Sequence, residues 1–295
     1  MKTVTILTPT YNRCRLIQRL YDSLVKQIDF DFCWVVIDDG STDETEKLFI
    51  ELQKESKFEI IYRKKNNGGK HTALNYAYQF ITSPLTFIVD SDDYLTPDAI
   101  FTIKEKYTQY NGESDLCGYS FLRGKSDGGL LSDSGVEKDG MKASYVQYRI
   151  NRNIGGDMAE VWYTECLKNC KFPEIEGEKF LGEDVVWIKL SQNYKLRFFN
   201  KIIYMSDYLE DGLTNNRRKH NIKSPKGCVI RAETFLESDA NLKAKLKAIL
   251  QYHIYGRFSG LKFLELLKKS TCKGLYIFLL LPAEIIYQKW KINEK

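Results

Sequence analysis

The chain has 295 residues, of which 43% are apolar and 28% are charged, the composition of an ordinary soluble globular protein. This balance excludes a disordered or fibrous protein, and the length allows about two domains. The formal net charge is +5, yet residues 243–295 alone carry +8 and residues 1–242 therefore carry −3. Because the basic charge is concentrated in the C-terminal segment, the sequence does not predict a nucleic-acid partner.

The cysteine content and the apolar runs indicate the compartment. The seven cysteines are an odd number scattered along the chain, and no signal-peptide pattern precedes them, which predicts free thiols in a reducing compartment. The longest apolar run, residues 275–283, contains Pro282 and is far shorter than the roughly 20 residues that a spanning helix needs. We therefore expect a cytoplasmic protein without a membrane-spanning helix.

Four short apolar runs alternate with segments of helical periodicity over the first hundred residues. Each run is nearly continuous in apolar residues, a pattern typical of parallel strands that are buried on both faces. The runs are residues 4–7, 33–37, 58–62 and 85–89. The sequence therefore predicts an α/β fold with a mostly parallel sheet and helices on both faces.

A polar loop follows each predicted strand. Ligands of parallel sheets bind at the carboxyl ends of the strands, so these loops are expected to meet at one edge. Asp90 and Asp92 would point to the same side of an extended backbone, because strand side chains alternate with a period of two. With no cysteine or histidine nearby, this pair is suited to a hard divalent cation, Mg²⁺ or Mn²⁺.

The glycine spacing excludes two classes of nucleotide-binding protein. No Gly-x-Gly-x-x-Gly follows the first strand, and the segment Asn67-Gly-Gly-Lys70 lacks the upstream glycine of a P-loop. Dinucleotide oxidoreductases and P-loop nucleotidases are therefore excluded. A metal held by strand-end carboxylates, with a lysine and backbone amides nearby, remains suited to a diphosphate.

Four motifs, in this order along the chain, resemble the family 2 glycosyltransferases with the GT-A fold. They are Thr8-Pro-Thr-Tyr-Asn-Arg13, Asp38-Asp-Gly-Ser-Thr-Asp-Glu-Thr45, Asn67-Gly-Gly-Lys70 with Ala73-Leu-Asn-Tyr-Ala77, and Asp90-Ser-Asp-Asp93. The resemblance implies a Rossmann-like GT-A sheet and a metal-dependent enzyme. It also implies a nucleotide-sugar donor, usually with uracil, and inverting transfer to a hydroxyl acceptor, as in bacterial surface-polysaccharide synthesis.

The resemblance assigns roles to the matching positions. Residues matched to donor binding are Thr8, Pro9, Tyr11, Asp39, Asn67, Gly69, Lys70, Asp90, Asp93, Arg217 and Arg218. Asp39 would bind the base, and the arginines lie in a segment, residues 204–220, that resembles a loop closing over the donor. Asp90 and Asp92 would hold Mn²⁺ or Mg²⁺, and whether Asp92 or Asp93 lies closer to the ion stays open.

A later segment, residues 181–187, resembles the part of the family that supplies the general base at the start of a helix. The match places the base on Asp184, with Glu183 or Asp157 next in line. Acidic residues also favour the first turn of any helix, so the assignment depends on the position of this segment after the Asp90 cluster. Residues 192–196 break the Gln-x-x-Arg-Trp motif of processive synthases, which predicts transfer of one sugar per encounter.

The sequence predicts a catalytic domain over residues 1–225 and a basic amphipathic helical tail over residues 226–295. The acceptor is expected at residues 155–162 and 183–187. In the tail, leucines at helical spacing (Leu261, Leu264 and Leu267) lie among lysines, which predicts helices on an anionic membrane surface with Tyr287 and Trp290 at the interface. Docking of these helices on the catalytic domain is the alternative. The resemblance allows a lipid-linked acceptor or a growing surface glycan at the inner face of a bacterial plasma membrane.

Two other functions stay open at this point. A nucleotidyltransferase on a similar sheet would need a glycine-rich triphosphate loop beside the basic residues Arg13 and Arg15, and the glycines are absent. A catalytically inert, membrane-associated protein that binds sugar nucleotides would be indicated by loss of the acidic cluster or of Asp184, and both are present.

Overall fold

The computed structural model describes residues 1–207 and 217–293. Within these residues the strands are β1 (Val4–Thr10), β2 (Phe32–Asp38), β3 (Ile60–Lys64), β4 (Leu85–Ile88), β5 (Tyr94–Leu95), β6 (Leu116–Gly124), β7 (Met141–Ala143), β8 (Met158–Tyr163) and β9 (Lys195–Met205). The helices are α1 (Cys14–Val25), α2 (Thr45–Glu55), α3 (Lys70–Ala77), α4 (Ala99–Tyr110), α5 (Thr164–Asn169), α6 (Asp184–Leu190), α7 (Arg217–Lys223), α8 (Pro225–Glu237), α9 (Leu242–Phe258), α10 (Phe263–Lys269) and α11 (Lys273–Asn293). A π-helical turn spans Val146–Ile150.

The strands form one mixed sheet in the order β3-β2-β1-β4-β8-β6-β9-β5, with β7 paired to β9. Strands β1 to β4 are mutually parallel, as the sequence predicts. Beyond β4 the sheet becomes mixed, because β8 runs antiparallel to both β4 and β6. The predicted α/β class is therefore confirmed: the four N-terminal strands are parallel, and β6 and β9 form a further parallel pair.

Alternate residues of the central strands pack into two cores, one on each face of the sheet. Val4 and Ile6 of β1 lie in one core, whereas Leu7 lies in the other. Trp34 and Val35 of β2 are divided in the same way. Helix α1 covers the first core and α3 the second. Burial on both faces explains why these strands are continuous apolar runs.

The parallel strands also fix where the polar loops lie. Thr10 at the end of β1 is in register with Asp38 at the end of β2. The backbone N–H of Val89, just after β4, donates to the carbonyl of Leu7 at 2.9 Å. The loops that follow β1, β2 and β4 therefore leave the sheet at one edge, as predicted.

The C-terminal helices pack on the sheet domain through a third core. Val146 of the π-helical turn and Ile188 of α6 contact this core, which otherwise consists of residues from α8 to α11 such as Ala232, Ile249 and Tyr276. These helices thus dock on the body of the protein with part of their surface. The division of the chain after residue 225 stays a prediction.

Of the three leucines noted at helical spacing, Leu261 and Leu267 pack against the third core, whereas Leu264 is 60% exposed. In the part of the chain that the structure describes, no helix combines the length and the apolar character needed to cross a membrane.

Candidate active site

A cavity of about 1000 Å³ opens at the carboxyl ends of β1, β2 and β4. Its wall also includes the start of α6 and residues of α7 and α8. The cavity gathers most of the residues predicted for the site: Pro9, Tyr11, Asp39, Asn67, Gly69, Lys70, Asp90, Asp92, Asp93, Glu183, Asp184 and Arg217. Positions far apart in sequence meet here because the strand ends share one edge.

Two of the predicted donor-binding residues do not line this cavity. Thr8 is fully buried within β1, and its hydroxyl accepts a hydrogen bond from the Trp34 indole at 3.0 Å. Because β1 continues to Thr10, Thr8 belongs to the strand rather than to the loop. The Arg218 guanidinium lies 4.7 Å from the centre of the Trp290 ring, on the C-terminal helices.

Asp39 joins the end of β2 to the loop that precedes α3. Its carboxylate accepts hydrogen bonds from the backbone N–H groups of Gly68 at 2.9 Å and Gly69 at 2.6 Å. The Lys65 ammonium and the Asn67 amide donate to the same carboxylate at 2.8 and 3.2 Å. These four donors hold the loop in place, so the structural role of Asp39 is to shape this side of the cavity. Its contact with a base stays a prediction.

Lys70, the first residue of α3, lies between two carboxylates. Its ammonium forms an ion pair with Asp90 and lies 2.9 Å from Oε1 of Glu183. Burial by itself would lower the pKa of Lys70, but the two carboxylates outweigh it and hold the pKa above its usual range. Lys70 is therefore a fixed positive charge at the centre of the acidic loops.

Asp90 and Asp93 are joined by Tyr204 of β9. The Tyr204 hydroxyl accepts from the backbone N–H of Asp90 at 3.0 Å and donates to the Asp93 carboxylate at 2.7 Å. Burial raises the pKa of Asp90, but Lys70 and Arg123 act more strongly in the opposite direction and keep it low. Burial, followed by the charge of Asp90, raises the pKa of Asp93 to about 6. The carboxylate of Asp90 is thus neutralised by cations, and that of Asp93 is held by the Tyr204 hydroxyl.

Asp92 differs from both neighbours. It is half-buried and lines the cavity, and its carboxylate has no hydrogen-bond or ion-pair partner among the described residues. Within the same residues, no group of three His, Cys, Asp or Glu side chains is arranged to hold a metal ion. Mg²⁺-type ions are often bound by one or two carboxylates together with substrate phosphates. The site therefore fits an ion shared with a diphosphate, with Asp92 as the available ligand and Asp90 as a second.

Part of the region expected to bind the acceptor also lines the cavity. Gly155, Gly156 and Asp157 line the cavity, whereas Trp162 is buried and stacks on Trp187 with ring centres 4.3 Å apart. The glycines and the acidic residue thus reach the site, and the tryptophan belongs to the core.

Sequence analysis did not identify Glu160, which also lines the cavity. Burial raises the pKa of the Glu160 carboxyl to about 7, although Arg149 and Arg123 act in the opposite direction. A single acidic residue inside an otherwise apolar strand was the signal that could have indicated it.

Asp184, at the start of α6, contacts a residue that no sequence motif indicated. The Arg231 guanidinium of α8 donates to both of its carboxylate oxygens, with Nε at 2.8 and 2.9 Å and Nη2 at 2.5 Å. Burial raises the pKa of Asp184, but Arg231 outweighs it and holds the pKa below its usual range. The predicted base is therefore ionised and tied to the C-terminal helices.

Arg217 and His220 of α7 line the cavity beside α8. Both belong to the segment that resembles a closing loop. Residues 208–216 of that segment lie outside the described residues, so the prediction of a closing loop stays a prediction.

Comparison with known proteins identifies the N-terminal part of this site. Residues 5–127 match the family model described as "Glycosyl transferase family 2". This segment belongs to glycosyl transferase family 2. It contains the loops of Asp39 and Asp90 but not Glu183 or Asp184. The resemblance expected from the sequence motifs is thereby confirmed.

Curated relatives carry the similarity further along the chain. One is a GalNAc(5)-diNAcBac-PP-undecaprenol beta-1,3-glucosyltransferase of Campylobacter jejuni, 28% identical over 211 residues, which cover 68% of this chain and 62% of that protein. Another is a chondroitin synthase of Pasteurella multocida, 28% identical over 205 residues, which cover 68% of this chain and 20% of that protein. The chain thus spans less than two thirds of the length of these relatives.

Solved structures confirm the GT-A fold. Staphylococcus aureus TarS 1–349 in complex with UDP-GlcNAc is similar with a TM-score of 0.65 at 20% identity, covering 96% of this chain and 80% of that one. The mannosyltransferase PcManGT from Pyrobaculum calidifontis, in complex with GDP-Man and Mn²⁺, is similar with a TM-score of 0.58 at 17% identity. The match covers 98% of this chain and 82% of that one. The predicted sheet with its C-terminal helical region is therefore the architecture of these enzymes.

Gly69, just before α3, has φ +93°, and a Cβ added to it would lie 2.0 Å from the carbonyl oxygen of Lys179. Gly177 has a similar φ of +81° but no heavy atom within 4 Å of an added Cβ. We expect Gly177→Ala to lower the free energy of unfolding by about 1 kcal/mol through backbone strain alone. Gly69→Ala should cost at least about 2 kcal/mol, because the backbone at Lys179 must also move.

Urea unfolding of both variants measures this difference. Equal losses for the two variants would contradict the close backbone approach at Gly69.

Proposed function

We propose that the protein transfers one sugar from a nucleotide-sugar, with UDP as the nucleotide, to a hydroxyl group of an acceptor with inversion at the anomeric carbon. The observation that carries this proposal is the meeting of two sets of residues in one cavity. The acidic loops with Lys70 lie on one side, and ionised Asp184 lies at the start of α6. Such an arrangement offers a diphosphate site and a proton acceptor within reach of one substrate. The UDP-GlcNAc complex of TarS supports the choice of donor.

The donor is bound by residues of the first three loops. Pro9 and Tyr11 form the wall beside Asn67 and Gly69, where a nucleoside fits. Lys70 and Arg217 present positive charge to the diphosphate, which suits the strong hydrogen bonds that cations form with phosphate oxygens. Asp90 and Glu183 hold Lys70 in place before the donor arrives.

The proposed function includes a divalent metal ion, Mn²⁺ or Mg²⁺, that would be held by Asp92 with Asp90 as the second ligand. When bound, the ion neutralises the charge of the diphosphate as it leaves the sugar. Asp92 is favoured for the direct contact because its carboxylate has no partner among the described residues, whereas the Asp93 carboxylate accepts a hydrogen bond from the Tyr204 hydroxyl. The named Mn²⁺ complex of PcManGT supports a metal in this fold.

Asp184 accepts the proton of the acceptor hydroxyl. Its carboxylate is ionised because Arg231 lowers its pKa, and it lines the cavity near the predicted acceptor wall. Glu183, the neighbouring candidate, is engaged by Lys70. A base that acts on the acceptor while the diphosphate leaves from the opposite side gives direct displacement.

The function is tested with a panel of nucleotide sugars, with Mn²⁺ or Mg²⁺, by measuring the nucleotide diphosphate that is released. Release of UDP from one or more UDP-sugars, and no release from GDP-sugars, is expected. Release of pyrophosphate from a nucleoside triphosphate with a sugar phosphate would indicate a nucleotidyltransferase instead. Binding of a UDP-sugar without any turnover would indicate an inert binding protein.

Asp184→Asn is expected to lower the rate of transfer by roughly 10²–10⁴-fold, the usual contribution of a general base. The amide keeps the size of the side chain, so the affinity for the donor should change by less than about threefold. Rates of transfer and calorimetric titration with UDP separate the two effects. Retention of more than about a tenth of the wild-type rate would place the base elsewhere, with Glu183 or Asp157 next in line.

Asp92→Asn is expected to remove most of the metal-dependent affinity for UDP, because an amide is a much weaker ligand for a hard cation than a carboxylate. The thermal midpoint without ligand should stay near that of the wild type, since Asp92 has no partner among the described residues. Titration with UDP in Mn²⁺ and in EDTA tests this. Tight binding by the variant in EDTA would rule out the metal site.

The proposal includes a cytoplasmic location with peripheral contact at the inner face of the plasma membrane, where a lipid-linked acceptor or a growing surface glycan is presented. The name of the Campylobacter relative, which contains PP-undecaprenol, supports a lipid-linked acceptor. The contact is assigned to α11, which has two different apolar faces. Tyr276, Ala283 and Tyr287 face the body and are at most 6% exposed.

The opposite face of α11 is apolar but exposed. Its large side chains are between 59% and 76% exposed. They are Ile277, Phe278, Leu281, Ile285 and Ile292. At about 100° per residue, these five positions lie within an arc of about 100°. We call them the outer face of α11.

Lysines border the outer face of α11 on both sides, with Lys273 and Lys291 along one border and Lys289 along the other, by the same helical geometry. An apolar stripe between lysines is typical of a helix that lies in the surface of an anionic membrane. The two aromatic residues predicted at the interface point elsewhere: Tyr287 is buried beside Phe258, and Trp290 lies next to Tyr255. The lipid contact is therefore assigned to the aliphatic stripe and Phe278.

Phe278→Glu combined with Leu281→Glu should reduce binding to anionic vesicles at least tenfold, because two charges replace apolar side chains that enter the lipid surface. The control is Phe101→Glu, since Phe101 is 51% exposed on α4 of the sheet domain. Co-sedimentation with phosphatidylglycerol vesicles at low salt measures the effect.

Equal binding by wild type and double variant would contradict the membrane contact. Concentration-dependent dimers of the wild type in ultracentrifugation, lost in the double variant, would instead assign the outer face of α11 to a second copy of the chain.

A further inference from the structure

The predicted base is held by a residue from outside the segment that matches the family model. Arg231 lies in the middle of α8, more than a hundred residues beyond the matched segment 5–127. Its guanidinium donates three hydrogen bonds to Asp184, with Nε shared between both oxygens and Nη2 bound to Oδ2. Both side chains are less than a fifth exposed. This geometry fixes the plane of the carboxylate.

The arginine is itself held from several sides. Nη1 donates to the side-chain oxygen of Gln251 on α9 at 3.2 Å, and the guanidinium carbon lies 4.8 Å from the centre of the Phe235 ring. An added Cβ at Gly182 would lie 2.8 Å from Oδ1 of Asp184 and 3.3 Å from Nε of Arg231. The absence of a side chain at Gly182 therefore leaves the room that the pair occupies.

Several other groups act on Asp184. Arg217 of α7 adds a second positive influence that lowers its pKa. Tyr145, beside the π-helical turn, and Cys228 of α8 are the other titratable groups that interact with it, and burial raises the pKa of both. Tyr145 and Cys228 are therefore neutral near pH 7, and Arg231 is the main partner of the carboxylate.

We propose that Arg231 is a positioning residue that holds the Asp184 carboxylate in the orientation required to accept the acceptor's proton. This inference rests on the proposed function, in which Asp184 is the base. It makes α8, together with Gln251 of α9, a part of the active site rather than a separate tail. No bond to the substrate is formed by Arg231.

The ion pair between Arg231 and Asp184 has two opposite effects on the rate of proton transfer. A bidentate arginine occupies one side of the carboxylate, and the remaining lone pairs stay free for the acceptor hydroxyl. The positive charge lowers the intrinsic basicity of Asp184, which by itself slows proton transfer. Fixed orientation offsets that loss, because small displacements of a reacting group can cost about 10²-fold in rate.

The experiment compares full-length Arg231→Gln and Arg231→Lys with Lys226→Gln, a control on the exposed side of the same helix. We expect Arg231→Gln to lower kcat about 10- to 100-fold at pH 7, with less than a threefold change in the KM for the donor. Arg231→Lys should recover part of kcat, because it keeps the charge without the bidentate geometry. Lys226→Gln should behave as wild type.

The pH profile gives the readout that a purely structural role would not change. Without the guanidinium, burial is the dominant influence and the pKa of Asp184 rises. The acid limb of the kcat profile should therefore move up by at least about one pH unit in Arg231→Gln. An unchanged profile with unchanged kcat would overturn the proposal, and so would a higher kcat, which would make Arg231 an inhibitory contact.

Unfolding measurements test the pair without any activity. In the wild type the pKa of Asp184 is lowered, so its contribution to stability is present above the unfolded pKa of about 3.9 and is lost at lower pH. In Arg231→Gln the pKa is raised, so the carboxylate destabilises the fold near pH 7 and this penalty disappears as the pH falls towards 4. The stability gap between the two proteins should therefore narrow from pH 7 to pH 4.

These outcomes distinguish a failure of the proposed function from a failure of the positioning role of Arg231. If the wild-type protein turns over no nucleotide sugar, the proposed function fails. The pH dependence of the stability difference between wild type and Arg231→Gln still decides whether Arg231 controls the charge of Asp184. If the wild type is active, but the stability difference between the two proteins is the same at pH 7 and pH 4 and their kcat–pH profiles are the same, the positioning role fails while the proposed function stands. Where Arg231→Gln does not fold, Gln251→Ala is used, and a smaller shift of the profile in the same direction is expected.

Discussion

Carboxylates buried at the edge of a sheet need cations or hydrogen-bond donors beside them, and the organisation of this protein follows from that constraint. A charge removed from water costs several kcal/mol unless it is paired and hydrogen-bonded. In this cavity the cations come from separate parts of the chain. The pairs are Asp39 with Lys65, Asp90 with Lys70, and Asp184 with Arg231. Each pair also joins two segments that are distant in sequence, so these ion pairs hold the walls of the cavity together.

The same pairing determines which groups remain available for substrates. Asp90 is neutralised and Asp93 is hydrogen-bonded to Tyr204, whereas the Asp92 carboxylate is free among the described residues. A diphosphate brings negative charge to a site whose own carboxylates are largely compensated, so under the proposed function an ion shared between Asp92 and the donor would complete the charge balance. Lys70 contributes a permanent charge because two carboxylates keep it protonated.

The C-terminal helices connect this chemistry to the rest of the molecule. Their inner faces form the third core with the π-helical turn and α6, and α8 delivers Arg231 to the start of α6. The outer face of α11 is apolar and bordered by lysines, a surface suited to a membrane. Under the proposed function, one helical region would support the base through its inner face and meet a lipid-bound acceptor through its outer face.

The sequence by itself determined the first four strands, their parallel arrangement and the polar loops that line the cavity, because these depend on local apolar runs and on turn residues at strand ends. Asp92 and Asp184 were indicated through the resemblance to family 2 glycosyltransferases, and their roles stay predictions. Only the tertiary structure decided that Thr8 lies within the core, that Arg231 holds Asp184 and that Tyr287 packs inward. These contacts join residues tens of positions apart, and their partners are chosen by packing and charge balance, which leave no local pattern in the chain.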